Sequence, residues 1–417
     1  MTTPTTSPFI TRVVIENYKS IAACDVRIGP LNVLVGLNGS GKSNFLDALR
    51  FVRDICNSSL TMAVQARGGI DEVRHRSGGL EGFVGLRLEF QLPYGVTGYY
   101  AFRILVRQSG GYSVREEECV IDEHKDGQAP ARFTFGDGKY DTNVTLAWPS
   151  LAVRSLSPND LCLASIFSND FDVALFSRVS RALGSMRFYD INPGEMRGLT
   201  KIDLGSDAIL SPDGGNITHV LQGMTMDNEA AKKRIDEYMA RIAPNVRAIQ
   251  ARSIVDQAIL QFRHNGNGNA AAEPFLGPAM SNGTLRALGV LVALFQSTYD
   301  ATRATPLVAI EEPEVAIHPA AVRVLVDAMR EASASSQVIA TSHSPDLLDY
   351  ESLDANSILP VTFDDSTRVG HLNEFGRSAL RDHLYTAGEL LRMNQLEPEI
   401  TQANGRDEGR VALFDRE

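Results

Sequence analysis

One octapeptide constrains this chain more than any other feature. Gly36-Leu37-Asn38-Gly39-Ser40-Gly41-Lys42-Ser43 matches G-x-x-x-x-G-K-[ST] at every fixed position. The dense apolar run Leu31–Val35 reads as a buried strand before it. Phe45, Leu46, Leu49 and Val52 recur at helical spacing after it, which predicts a helix from Ser43 to Cys56. The physics of such a loop is specific. Glycines let the backbone curl so that its N–H groups point at one anion. The helix N-terminus adds partial positive charge. Lys42 reaches β- and γ-phosphates, and the Ser43 hydroxyl offers a hard oxygen to Mg²⁺. Gly36, Asn38, Gly39, Ser40, Gly41, Lys42, Ser43 and Asn44 are therefore the candidate nucleotide-binding residues.

Three later stretches carry matching chemistry. Leu307–Glu314 (LVAIEEPE) ends an apolar strand on two adjacent carboxylates. In open α/β sheets ligands gather at that end of the strands. Neighbours on a strand face opposite ways, so Glu311 and Glu312 cannot share one job. Glu311 is the candidate metal-side carboxylate with Ser43; Glu312 is the candidate base that polarises an attacking water. Gln337–Leu348 (QVIATSHSPDLL) is a second apolar strand with polar residues at its end. His343 there would face the same edge and hold a γ-phosphate or water, or would simply cap the turn before Pro345. Ala279–Phe295 (AMSNGTLRALGVLVALF) is a polar turn feeding an apolar helix, with Ser281 as its N-cap. Such a helix start is an anion site or only a capped helix.

The rest of the chain gives the frame. Strands are expected at Ile10–Glu16 and Asp25–Ile28. From about Val84 to Ala147 the pattern is β-rich with Gly, Pro and Asp breaks, which predicts an antiparallel lobe. Helical periodicity fills Asp160–Ala243, and a strand hairpin follows over Val246–His264. Helices and strands then alternate from Thr284 onward, which implies a parallel sheet. The division expected is 9–155, 156–274 (a helical lobe), 275–394 and a mobile tail at 395–417. The fold class is α/β: a mostly parallel core sheet with an antiparallel β lobe and an inserted helical lobe.

Composition narrows the setting. Acids outnumber bases, 51 to 40, for a net charge of -11, which disfavours wholesale coating by nucleic acid. A stripe of Lys232, Lys233, Arg234, Arg241, Arg247 and Arg252 leaves local DNA contact open, against the plainer reading of a solvated helix face. The four cysteines are scattered without C-x-x-C spacing, so neither a zinc site nor a disulfide framework is expected. No secretory leader and no membrane span is read, and the expected setting is cytoplasmic. Arg74–Gly79 reads as a loop, Trp148 as packing, the 266–272 stretch as a low-complexity linker, and Leu390, Leu391 and Met393 as a core or docking helix.

In this order the motifs resemble the ATP-binding-cassette type heads of the SMC/RecF/OLD ATPase group, in particular AAA-family ATPases of bacterial defence modules. VVIENYKSIAACDVRIGPLNVLVGLNGSGKSNFLDAL is similar to the group's N-terminal signature. MSNGTLR is similar to its signature motif, EEPEVAIHP to its Walker B and D-loop, and ATSHSP to its H-loop. The resemblance implies ATP and Mg²⁺ sandwiched between two heads of a homodimer. Ser281, Asn282, Gly283 and Thr284 would touch the nucleotide in trans; Glu312 and His343 would be catalytic. It implies an ATPase that regulates a separate, nuclease-like effector in anti-phage defence or DNA metabolism. The alternative is a nucleotide-gated scaffold, or a RecF-like DNA-binding repair protein, with little turnover. This chain departs from the group in three ways. It has no heptad arm, no acidic nuclease cluster after His343, and no evident Q-loop glutamine, for which Asn159 is the only stand-in.

Overall fold

The computed structural model describes residues 8–76, 82–107, 110–125, 127–136, 138–143, 157–165, 174–201, 209–264, 274–297, 305–350, 353–399 and 412–415. Trp148, the 266–272 linker and residues 77–79 of the Arg74–Gly79 loop lie outside them.

A six-stranded sheet forms the centre. Its order is Thr367–Val369, Ile358–Phe363, Leu31–Val35, Gln337–Ser342, Leu307–Ile310, Arg187–Tyr189. All neighbours are parallel except the outermost Thr367–Val369 strand. The register aligns Val35 with Ser342, Ile310 with Ala340, and Ile310 with Tyr189. The carboxyl ends of four strands therefore reach one edge together. Every residue of Leu31–Val35, Leu307–Ile310 and Gln337–Ser342 is buried, as expected for strands covered on both faces.

Lys42–Asn57 forms the helix after the glycine loop and buries Phe45, Leu46, Leu49 and Val52. On the same side lies a seven-stranded antiparallel sheet, in order Ile21–Arg27, Ile10–Tyr18, Gly82–Leu92, Val96–Val106, Tyr112–Asp122, Ala131–Gly136, Lys139–Thr142. Its inner face (Val13, Ile15, Leu86, Leu88, Tyr100, Phe102) and that helix share one apolar cluster. On the other side of the central sheet, helices Ile217–Asp227, Glu229–Ile242, Asn282–Phe295 and Pro319–Ala332 build a second cluster. The Val246–Ile254 and Gln257–His264 hairpin packs there too.

Three features differ from the sequence reading. Residues 160–243 read as helical throughout, but Arg187–Tyr189 is an edge strand of the central sheet. Three residues hold too little periodicity to reveal a strand; pairing with Leu307–Ile310 decides it. Ile358–Phe363 and Thr367–Val369 complete the other edge, and no strand was read there. Composition made 395–417 mobile, yet Leu396, Leu413 and Phe414 are buried. Leu390 and Leu391 sit in the core as read, with Met393 exposed. No described helix is long and apolar enough to cross a membrane.

The β lobe buries the carboxyls of Glu117 and Glu118 completely. Glu117 accepts bonds from the N–H groups of Cys162 (2.6 Å) and Leu163 (2.9 Å) and from the Tyr100 hydroxyl (2.9 Å). Burial pushes its pKa up to about 7, with those three bonds pulling the other way. A native pKa above the ordinary 4.5 means a stabilising contribution that is full below about 4.5 and lost as pH rises through about 7. Glu117→Gln should flatten that part of the pH dependence. Denaturant midpoints measured between pH 4.5 and 7 check it; an unchanged slope in the variant refutes the assignment.

Candidate nucleotide site

The glycine loop leaves Val35 at the carboxyl edge of the central sheet and enters its helix at Lys42. Gly39 (φ 78°) and Gly41 (φ 103°) are left-handed, which side chains resist. Gly41 also has no room. A Cβ there would strike the Thr367 hydroxyl, which itself donates to the Ser40 carbonyl at 2.9 Å. Gly36 is held as tightly against the Val361 carbonyl. Asn38 and Gly39 are exposed at the tip, while Asn44 bonds the Ser20 hydroxyl at 2.6 Å.

Lys42 is buried, and its ammonium donates to the carbonyls of Gly36 (2.8 Å) and Leu37 (2.9 Å). Burial pulls its pKa below the usual lysine range, while the nearby carboxylates Glu312 and Glu314 oppose that. Lys42 and the acidic strand end thus share one electrostatic environment. The Ser43 hydroxyl donates to Glu311 at 2.7 Å, and Arg50 pairs with the same carboxylate at 3.2 Å. A hydroxyl and a carboxylate in contact are the hard oxygen donors that Mg²⁺ takes. The Ser40 hydroxyl is buried with no partner, so the loop holds an unused polar group as well as its N–H array.

Strand alternation does not apply to the two acids, because the strand ends at Ile310; Glu311 and Glu312 lie in the bend after it, with Glu312 in a left-handed conformation (φ 43°). Its N–H donates to the Thr341 hydroxyl at 3.1 Å, and its carboxylate lies 3.4 Å from His343 Nδ1. Both side chains are about 40% exposed, at 38% and 42%, and so open to a substrate. The structure therefore brings Gly36–Asn44, Glu311, Glu312 and His343 to one edge. The N-cap of the turn Pro345–Leu348 is Ser344, and His343 lies beside Glu312.

Ser281 caps the helix Asn282–Phe295 by accepting from Thr284 N–H at 3.1 Å, and Ser281 and Asn282 are exposed at its start. Asn282 accepts a bond from Arg197 at 2.7 Å. Gly283 presses on the Ala316 carbonyl of the EVAIHP turn, where no Cβ fits. One turn on, Arg286 is buried and donates to the carbonyls of Ile191 (2.7 Å), Glu312 (3.1 Å) and Glu311 (3.1 Å). The capped helix start is thereby fastened to the acidic strand end of the same chain.

Sequence reasoning missed Arg286, Arg197, Thr367 and Glu314. Glu314 is buried, takes a bond from Ser342 at 2.6 Å, and is held above the usual carboxyl range by burial. Its place three residues past Glu311 in EEPE was the available signal; Thr367 offered none. Asn159 is not joined to this edge: it adjoins the turn that pairs with Val114 of the β lobe. Much of the basic stripe is neutralised, with Lys232 paired to Asp236, Arg234 to Glu237 and Glu331, and Arg241 to Asp327.

The family model described as "AAA domain, putative AbiEii toxin, Type IV TA system" matches residues 31–94 and 199–349, just over half of the sequence. The chain belongs to this family. The match takes in the loop, Ser281–Thr284, Glu311, Glu312 and His343, so the AAA domain is a P-loop ATPase-type unit built from two distant segments. The DNA replication and repair protein RecF of Porphyromonas gingivalis is 55% identical over 49 residues, 12% of this chain and 13% of that protein's length. Two solved structures are similar in outline. The SMC head domain from Thermotoga maritima shows 11% identity over 88% of this chain and 99% of its own, at TM-score 0.47. The Smc head domain bound to the C-terminal domain of ScpA derived from Pyrococcus furiosus shows 14% identity over 90% and 99%, at TM-score 0.47.

Replacing Arg286 by Met keeps bulk and removes every donor, leaving the carbonyls of Ile191 and Glu311 without this partner, while the Glu312 carbonyl keeps the Val315 N–H at 3.2 Å. The expected loss is about 2–4 kcal/mol of unfolding free energy. Urea denaturation of the AAA domain in the whole chain measures it, and a midpoint unchanged from wild type would refute the bolt.

Proposed function

We propose that this chain binds and hydrolyses ATP with Mg²⁺, and that nucleotide-dependent pairing of two copies controls a separate effector. The observation that carries the reading is the meeting of Lys42, Ser43, Glu311, Glu312 and His343 at one sheet edge. The loop N–H groups bind and orient the phosphates. Lys42 exchanges its two carbonyl partners for phosphate oxygens. Ser43 and Glu311 would hold Mg²⁺, which supplies charge neutralisation on the phosphates. Glu312 orients the attacking water and draws its proton, and His343 beside it holds the γ-phosphate end. In-line attack then releases phosphate and ADP.

The exposed start at Ser281–Asn282 is the surface for a second copy's γ-phosphate. Through Arg286 and Gly283 a contact made there reaches the chain's own Glu311, Glu312 and Ala316 backbone. This arrangement favours an ATP-gated dimer over an independent monomeric enzyme. An effector in anti-phage defence or DNA metabolism is the reading for the partner.

Lys42→Ala should remove ATP binding in equilibrium titration. Glu312→Gln should retain binding but lower steady-state phosphate release by at least about a hundredfold; normal turnover in that variant would remove Glu312 as the base. Separately, Ser281→Arg should bind ATP normally yet fail to dimerise with ATP in light scattering. If it dimerises like wild type, the trans contact is wrong.

A further inference from the structure

The outer face of the antiparallel sheet is not the polar surface such a face should be. Along one face, cross-strand positions run Val14 and Glu16, Gly85 and Arg87, then Tyr99, Ala101 and Arg103. The residues between them point into the main core. At the centre of the outer face, Val14, Gly85 and Ala101 leave an apolar notch. The notch is filled from the far end of the chain. Leu413 and Phe414 are 0% and 2% exposed and form a small cluster with Val14, Tyr99 and Ala101.

Each residue of this short segment meets its own feature. Leu413 occupies the space that Gly85 leaves, where any Cβ would collide with the leucine methyl. Phe414 lies 5.4 Å beneath the guanidinium of Arg103, which Glu16 holds at 3.1 Å. Arg87 stacks on Tyr99 at 3.7 Å and donates to the Leu413 carbonyl (3.1 Å) and the Asp415 carboxylate (2.7 Å). Glu89 braces the same guanidinium at 3.0 Å. A glycine notch, a cation over an aromatic ring and a braced arginine select an aliphatic, an aromatic and an acid in that order.

We propose that this face is a peptide-recognition site for a Leu-Phe-Asp segment, and that it takes the segment from a second copy of the chain as well as from its own C-terminus. Among the described residues the selective contacts lie within 413–415. Between Glu399 and Ala412 the sequence runs ITQANGRDEGRV, twelve residues. A linker of that length spans up to about 40 Å. The contacts are identical whichever copy donates the tail, and exchange of an identical element between protomers is a low-cost route to association. Cis and trans occupancy are then set by effective concentration.

The test uses the full chain without nucleotide, so its result is independent of the ATPase reading. A tail-disabled variant, Leu413→Asp with Phe414→Asp, is titrated with a labelled peptide of residues 409–417. Saturable binding is expected. It should be at least about tenfold weaker to wild type, whose own tail competes, and at least about tenfold weaker for a peptide carrying Phe414→Ala. The peptide change cannot disturb folding of the protein. Mixing the tail-disabled chain with Gly85→Leu, which blocks the notch but keeps its tail, should give a heterodimer by native mass measurement that neither forms alone. No saturable binding to the tail-disabled chain would overturn the proposal, as would binding indifferent to Phe414→Ala. A mixture that stays monomeric would overturn the exchange between copies.

Discussion

Parallel register in the central sheet is the constraint on which the rest depends. Backbone pairing lines up Val35 with Ser342, and Ile310 with both Ala340 and Tyr189. The loops that leave those strands must therefore start from one edge. Nothing local to Gly36, Glu311 or His343 could achieve that, since they belong to strands far apart in sequence. Strands buried on both faces make the register costly to shift, because a one-residue slip would turn the polar residues at their ends inward.

Around this edge, close backbone packing does what side chains cannot. Gly36 against Val361, Gly41 against Thr367 and Gly283 against Ala316 each bring two segments nearer than a Cβ would allow. The first two tie the phosphate loop to the C-terminal strands; the third ties the capped helix to the turn after Glu312. Arg286 adds three charge-assisted bonds across the same joint. The site is a set of loops held at fixed separation by glycines and one buried guanidinium.

The antiparallel lobe shows the same economy on both faces. Inward, it joins the helix Lys42–Asn57 in one cluster and stores the buried acid Glu117. Outward, it would leave an apolar notch, which the last described residues of the chain cover. The lobe thus links the segment before the phosphate loop with the segment after the last helix. Its first strand leads through Ser20 to both Asn44 and Thr367.

Much of the candidate site was legible without coordinates. The spacing Gly36–Ser43, the paired acids after Leu307–Ile310, the histidine after Gln337–Thr341 and the cap at Ser281 are local patterns. Local patterns follow from short-range rules: strand alternation, helical period, capping and the backbone freedom of glycine. The sequence by itself determined the P-loop motif and its family, the alternation of strands and helices in the final third, and the β-rich lobe. Only tertiary structure decided that Arg187–Tyr189 is a strand, that Arg286 grips two strand-end carbonyls, that Thr367 supports the loop, and that Leu413 and Phe414 are buried. The reason is common to all four. Each depends on a partner tens to hundreds of residues away, and such pairings are selected by packing of the whole chain rather than by any neighbour in sequence.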